Sequence, residues 1–265
     1  MATTRNGDVE LHYEAFGSPE HPTLLLVNGL GSQSTSYAEA WIDRFVAEGY
    51  QVVRFDNRDT GLSSKLEDQS YGLVDMALDA VAVLDALGVE RAHVLGCSMG
   101  GMIVQRLAID HPDRLLSMTS VMSRTGEAEY GQSSPEALAA LVAPPATTRE
   151  EYVERMVANQ HVYGSKPEWI DDEEVARRMG ASFDRCYCPT GTGRQMLAVM
   201  ADGSRAEARA RQQRAVEVED RHGPARRRHV LHGEQPGGAS VLLPGHAEEH
   251  PGLAWRPGEP GVTGR

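Results

Sequence analysis

Lysine, cysteine and aromatic residues are all scarce in this chain of 265 residues, and aromatic residues make up only 6% of it. The cysteines are Cys97, Cys186 and Cys188. An odd and low count does not indicate a disulfide framework, so it favours a reducing, cytoplasmic location. Cys186 and Cys188 have no matching second pair, so their spacing does not predict a zinc site. We expect neither a metal nor another cofactor.

Other absences exclude whole classes of protein. No apolar run reaches the ~18 residues of a membrane span, and residues 1–7 lack the apolar segment of a signal peptide. The formal net charge of -12 argues against nucleic acid or an anionic membrane as a partner. Because the chain has neither a Gly-x-Gly-x-x-Gly fingerprint after its first strand nor a Walker pattern, a nucleotide-binding fold is a weak alternative. The sequence carries no signal of oligomeric state.

Strands and helices alternate along the first half of the chain. Apolar patterns predict strands over residues 8–16, 23–27, 51–55, 92–95 and 117–122, and helices over residues 38–48, 74–87 and 102–109. The first strand alternates like a half-buried edge strand, and the second is apolar enough to be buried on both faces. This order predicts an α/β fold whose sheet is mostly parallel, doubly wound and covered by helices on both faces.

The alternation ends near Ser123. Residues 126–200 predict helices without strands. One helix starts in residues 147–151 (TTREE), with a threonine cap and an acidic first turn, and another starts in residues 171–174 (DDEE). Such an insertion is expected to lie as a cap over the strand ends, where ligands bind in open α/β sheets. The predicted domains are residues 1–125 for the N-terminal part of the core, residues 126–200 for the helical cap and residues 201–265 for an atypical C-terminal segment.

The C-terminal segment has an unusual composition. Residues 221–265 contain nine glycines and six prolines and have almost no hydrophobic periodicity. Either the segment has diverged by deletion or is disordered, or the reading frame slips near residue 208. We favour the frame slip, since a slipped frame in GC-rich DNA yields such a sequence. Either case would leave the C-terminal part of the sheet incomplete.

The most informative stretch is Gly96-Cys97-Ser98-Met99-Gly100, which lies between a predicted strand and a predicted helix. Strand, Gly-x-Ser-x-Gly and helix form the context of a nucleophile elbow. The turn is so tight that Ser98 must take strained backbone angles, and Gly96 and Gly100 leave room for the neighbouring backbone. We therefore predict that Ser98 is a catalytic nucleophile. The alternative is a glycine-rich turn without a function.

Three segments in this order carry a family likeness: residues 24–31 (LLLVNGLG), 55–63 (FDNRDTGLS) and 96–101 (GCSMGG). The chain resembles the α/β-hydrolase superfamily, and it looks most like actinobacterial serine esterases of the aclacinomycin methylesterase type. The likeness extends over about residues 8–205. It implies an α/β-hydrolase fold with an oxyanion hole formed by the backbone N–H groups of Leu30 and Met99.

The resemblance also implies an acid after the next-to-last core strand and a histidine after the last one. No aspartate follows Asp220, so Glu234 is the candidate acid by position. His246 is the candidate base, and His250 is the alternative. The two candidate strands lie in segments that begin at His229 and Ser240, and only residues 234–239 separate them, which is too few for the crossover that parallel neighbours need. A solvated loop is the simpler interpretation of the histidines.

These observations predict a serine hydrolase that cleaves a carboxylic ester of a small or medium apolar molecule through an acyl-enzyme on Ser98. One alternative is an impaired or inactive homologue with a broken triad, and a further alternative is a cofactor-free perhydrolase. Asp56 and Arg58 either contact substrate or form a structural ion-pair network, and we favour the network. Four residues could line an apolar pocket, although core packing explains the methionines equally well: Met99, Met102, Tyr163 and Trp169.

Overall fold

The computed structural model describes residues 2–127, 129, 131–206, 208, 229–232 and 240–243. The described strands are β1 (Ala2–Asn6), β2 (Val9–Phe16), β3 (Thr23–Val27), β4 (Gln51–Phe55), β5 (Ala92–Cys97), β6 (Leu115–Val121), β7 (His229–His232) and β8 (Ser240–Leu243). The α-helices are α1 (Glu39–Ala47), α2 (Leu73–Ala86), α3 (Met99–Asp110), α4 (Pro135–Leu141), α5 (Arg149–Tyr163), α6 (Asp172–Arg185) and α7 (Pro189–Ala201).

The strands form one mixed sheet in the order β1-β2-β4-β3-β5-β6-β8-β7. Pairing is parallel from β4 through β3 and β5 to β6, and it is antiparallel on either side of this centre. The predicted parallel arrangement therefore describes the centre of the sheet. Because parallel neighbours end at the same edge, the loops after β3, β4 and β5 meet there.

The central strands are apolar on both faces because helices cover both faces. In β3, Leu24 and Leu26 pack with Ile42 of α1, whereas Leu25 and Val27 belong to a second apolar cluster built with α2 and α3. Side chains alternate between the two faces of a strand, so a strand buried on both sides needs a continuous apolar run. All five residues of β3 are buried, as its sequence predicts.

The prediction that residues 8–16 form an edge strand was wrong. Strand β2 is paired on both sides, by β4 and by β1, and β1 is the edge. Strand β1 has no apolar alternation, and most of its side chains are exposed or half-buried. Its main-chain hydrogen bonds to β2 place it in the sheet, and such bonds leave no hydrophobic signal in the sequence.

Residues 126–200 contain helices α4–α7, and the predicted starts of two of them are confirmed. The Thr148 side chain accepts a hydrogen bond from the Glu151 amide at 3.1 Å, and the Asp171 side chain accepts one from the Glu174 amide at 3.0 Å. Both are N-cap interactions that satisfy otherwise unpaired amides. None of the described helices is long and apolar enough to cross a membrane.

Strands β7 and β8 pair with each other antiparallel, and β8 pairs antiparallel with β6. This arrangement agrees with the expectation that residues 234–239 are too few for a parallel crossover. The division into core, cap and C-terminal segment stays a prediction.

Candidate active site

Ser98 occupies the turn between β5 and α3 with φ 55° and ψ -117°. This is a region that residues with a side chain rarely adopt, and holding one there costs about 1–3 kcal/mol. The Ser98 amide donates to the Val121 carbonyl at 2.8 Å, and the Ser98 carbonyl accepts from the Met102 amide at 3.2 Å. The turn is therefore tied to β6 on one side and to the first turn of α3 on the other. The Ser98 residue as a whole is half-buried.

The two flanking glycines are required by close backbone contacts. A Cβ on Gly96 would lie 2.1 Å from the Gly100 carbonyl oxygen, and a Cβ on Gly100 would lie 2.2 Å from the Val27 carbonyl oxygen. Both distances are far below any van der Waals contact, and the atoms met belong to the backbone. The elbow therefore packs against the end of β3, and this packing leaves no room for a side chain at either glycine, as the motif predicts.

The loop that follows β3, residues 28–31, passes beside Ser98. A Cβ on Gly29 would lie 3.4 Å from the Ser98 Cβ and 3.9 Å from the Ser98 Oγ. The Asn28 side chain is buried and donates to the Phe55 carbonyl at 3.3 Å, so it ties this loop to β4. We call residues 28–31 the Asn28–Gly31 loop.

The two predicted oxyanion donors are the backbone N–H groups of Leu30 and Met99. Met99 is the first residue of α3, and Leu30 is the residue after Gly29. Among the described residues, neither backbone N–H has an acceptor. The Met99 N–H lies at the N-terminus of α3, where unpaired N–H groups carry partial positive charge and attract anions, whereas the Leu30 N–H belongs to the Asn28–Gly31 loop. Their assignment as oxyanion donors remains a prediction.

The candidate base and acid are the remaining site residues that the sequence predicts. Glu234, His246 and His250 all lie outside the described residues. Within the part of the chain that the structure describes, the Ser98 hydroxyl has no hydrogen-bond partner. The roles of the three tail residues stay predictions from the sequence.

The loop after β4 contains two buried carboxylates that bind arginines of the cap helices. Asp56 accepts from Arg185 of α6 at 2.8 Å. Asp59 accepts from both ends of the Arg194 guanidinium on α7, each at 2.8 Å. Burial opposes ionisation of Asp56, but the hydrogen bonds from Arg185 and two backbone amides outweigh it, so its pKa lies below the ordinary value.

Arg58 of the same loop is held by Asp79 of α2, with nitrogen–oxygen distances of 2.6 and 2.7 Å. Both side chains are buried. Asp56 and Arg58 therefore form a structural network beneath the site, which is the interpretation that the sequence favoured. The sequence did not reveal Arg185 and Arg194 as partners, because charged residues on amphipathic helices ordinarily indicate a solvated face.

A small cavity of about 50 Å³ lies where helices α5–α7, the helices of the predicted cap, meet the loops after β3 and β4. Gly31, Asp59 and Gly61 line it from the core, and Tyr152 and Tyr187 line it from the cap. Both tyrosines pack against Phe183 in one aromatic cluster. These residues were not predicted, since spacing on separate helices does not reveal that their rings meet.

The four residues expected to line an apolar pocket do not line this cavity. Met99 is 2% exposed and belongs to the core cluster, and Met102 packs against that cluster. Trp169 is 72% exposed. Core packing is therefore the better interpretation of the two methionines. Cys97, next to Ser98 in the chain, is half-buried, and burial raises the pKa of its thiol.

The part of the chain that the structure describes contains no cluster of three or more histidine, cysteine or acidic side chains arranged to hold a metal ion. Cys186 and Cys188 are free thiols at the junction of α6 and α7.

Comparison with known proteins gives consistent results. A family model described as alpha/beta hydrolase fold matches residues 22–171. The chain is 34% identical over 194 residues to rhodomycin D methylesterase DnrP of Streptomyces peucetius, a match that covers 65% of this chain and 65% of the relative. The match thus spans somewhat less than two thirds of that relative's length.

Solved structures show the same fold. The meta-cleavage product hydrolase CumD of Pseudomonas fluorescens IP01 aligns with a TM-score of 0.62 at 20% identity, covering 78% of this chain and 74% of that one. Est816, described as an N-acyl homoserine lactone degrading enzyme, aligns with a TM-score of 0.55 at 28% identity, covering 76% and 71%. With the matched residues 22–171 including the elbow and the Asn28–Gly31 loop, this chain belongs to the alpha/beta hydrolase fold family.

Proposed function

We propose that this protein is a serine hydrolase that cleaves a carboxylic ester of a small or medium apolar molecule. The observation that carries the proposal is the backbone of Ser98, held at φ 55° between two glycines at the start of α3. A protein retains such strain where the surrounding structure enforces it, and strained residues cluster at active sites. The elbow exposes a hydroxyl beside unpaired backbone N–H groups, which suits acyl transfer.

In the proposed reaction, the Ser98 Oγ attacks the ester carbonyl carbon while a histidine accepts its proton. The negative charge that develops on the carbonyl oxygen is stabilised by the N–H groups of Leu30 and Met99. The alcohol leaves with the proton from the histidine, and an acyl-enzyme remains on Ser98. Water, deprotonated by the same histidine, attacks the acyl-enzyme and releases the acid.

The proposed base is His246, with His250 as the alternative, and Glu234 is the proposed acid that orients it. These assignments rest on the order of residues in the sequence alone. If neither histidine reaches Ser98, only oxyanion and binding effects remain, and the rate falls by a factor of about 10⁴ or more. The chain would then be an impaired homologue, which is the second candidate function.

The relatives support an ester as the substrate class. DnrP is described as a methylesterase, and Est816 is described as degrading a lactone, which is a cyclic ester.

Hydrolysis of a series of p-nitrophenyl esters with acyl chains of increasing length tests this proposal. We expect turnover that is abolished in Ser98→Ala and reduced in one of His246→Ala and His250→Ala. Leu197→Ala, at an exposed position of α7, is the control variant, and we expect its turnover to equal that of the unchanged chain. Turnover that persists in Ser98→Ala would overturn the assignment of the nucleophile. Folded protein without turnover would identify the impaired homologue.

A further inference from the structure

We propose that Gln195, on cap helix α7, is a positioning residue that fixes the Asn28–Gly31 loop over Ser98. The inference deepens the proposed function and rests on it, because it assigns to the cap a part in forming the oxyanion hole. Gln195 would act through the loop backbone and would not touch the substrate itself.

The side chain of Gln195 makes two hydrogen bonds to backbone groups of the core loops. Its Oε1 accepts from the Gly31 amide at 2.9 Å, and its Nε2 donates to the Arg58 carbonyl at 2.8 Å. The side chain is fully buried. One amide group therefore joins the loop after β3 to the loop after β4, and it does so from a helix of the cap.

The end of this bridge at Arg58 is held in place by ion pairs. Arg58 is bound by the buried carboxylate of Asp79 through two hydrogen bonds of 2.6 and 2.7 Å. Arg194, the neighbour of Gln195, binds Asp59 through two further bonds of 2.8 Å. The position of α7 is thus fixed relative to the β4 loop, and Gln195 transmits that position to Gly31.

Helix α7 also contacts the Asn28–Gly31 loop directly, at Gly31. Gly31 has φ +63°, and a Cβ there would lie 2.8 Å from the Thr192 Oγ1, so α7 packs directly on this glycine. Glycines at positions 29 and 31 leave the backbone around Leu30 with few intrinsic restraints. The Gly29 carbonyl, which shares a peptide group with the Leu30 N–H, accepts from the Ser32 amide at 3.2 Å. The hydrogen bond from Gly31 to Gln195 fixes the next peptide group, so the two bonds together restrain the direction in which the Leu30 N–H points.

The direction of that N–H is decisive for the proposed reaction. A donor stabilises the oxyanion only when it points at the place where the charge develops. A displacement of about 1 Å can lower a rate about 100-fold. Loss of the Gln195 bonds should therefore lower kcat by roughly 10- to 100-fold with little change in KM.

Three variants test the inference. Gln195→Met keeps the volume and removes both hydrogen bonds. Gln195→Glu restores both bonds only when the carboxyl is protonated, since the neutral acid both accepts and donates. Gln51→Met is the matched control, because Gln51 is a buried glutamine with a 2.8 Å hydrogen bond from Thr23 at the opposite ends of the strands.

The measurements are kcat and KM for one activated ester over a range of pH, with hydrogen exchange of the Gly31 amide and the melting temperature of each variant. We expect Gln195→Met to lose kcat and Gly31 protection, whereas Gln51→Met loses only thermal stability. The kcat of Gln195→Glu, as a ratio to that of the unchanged chain at each pH, should rise as the pH falls. At a temperature where the melting curves show both proteins fully folded, a purely structural role for Gln195 would not produce that pH-dependent ratio.

Two outcomes overturn the inference. If the unchanged chain is active and Gln195→Met keeps its kcat, Gln195 has no positioning role, and the proposed function stands. If the unchanged chain neither turns over esters nor reacts at Ser98, the proposed function fails, and this inference fails with it.

Discussion

The strain at Ser98 leads to a prediction in which glycine and alanine exchange their usual order of stability. At a regular position, replacing alanine by glycine destabilises a protein, since glycine loses more backbone freedom on folding. Ser98 has φ 55° and ψ -117°, a conformation that glycine adopts without strain. Ser98→Gly should therefore be more stable than Ser98→Ala.

The magnitude follows from two opposing contributions. Relief of the backbone strain contributes about 1–3 kcal/mol to Ser98→Gly. The greater freedom of glycine in the unfolded chain removes about 0.4–1 kcal/mol of this gain. The net difference between the two variants is then on the order of 0.5–2 kcal/mol in favour of glycine. Both variants lack the hydroxyl, so the comparison isolates the backbone.

Urea denaturation followed by circular dichroism measures this difference as a shift of the midpoint at constant m. Thr119 is the matched control site, since it lies in the regular strand β6 and has no positive φ. At Thr119, the alanine variant should be more stable than the glycine variant by about 0.5–1 kcal/mol. If alanine is the more stable residue at position 98 as well, the elbow is not strained and the case for the nucleophile loses its basis.

Three further perturbations have expected outcomes. Gly100→Ala should abolish folding or activity, because the added Cβ would lie 2.2 Å from a backbone oxygen. Gly193→Ala is its control within a helix: the added Cβ meets nothing within 4 Å, so this variant should raise the melting temperature. Asp79→Ala should lower the free energy of unfolding, measured by urea denaturation, by about 3–5 kcal/mol because it leaves a buried arginine unpaired. Asp85→Ala removes a carboxylate that is 61% exposed, so it should change the free energy of unfolding by only about 0–1 kcal/mol. The pKa of Asp56 in the folded state lies below the ordinary 3.8, so the stability it contributes is present above that pH and is lost as the pH falls further. The melting temperature of Asp56→Asn should accordingly fall less steeply than that of the unchanged chain in this acidic range.

The centre of the fold could be predicted because its signals are local. The run of four apolar residues in β3 and the periodicity of α2 report directly on burial. The strain at Ser98 was also predictable, since two glycines at this spacing between a strand and a helix are typical of a nucleophile elbow. Strand β1 could not be found, because it is placed by main-chain pairing and its side chains are largely exposed.

The contacts between cap and core could not be predicted for a different reason. Gln195 lies 164 positions from its partner Gly31, and Arg185 lies 129 positions from Asp56. A polar residue on an amphipathic helix is ordinarily solvated, so nothing local distinguishes these residues from surface residues. The complementary charges become informative only once the fold brings the loops after β3 and β4 beneath α6 and α7.

We propose that Ser98 is an activated nucleophile, and covalent labelling tests this claim without relying on a particular substrate. The folded chain would be treated with a fluorophosphonate, and the adduct would be located by intact mass and peptide mapping. We predict one phosphonate per chain, attached to Ser98, and none in Ser98→Ala or in the urea-denatured chain. Folded protein without an adduct, or with its adduct on another residue, would contradict the claim.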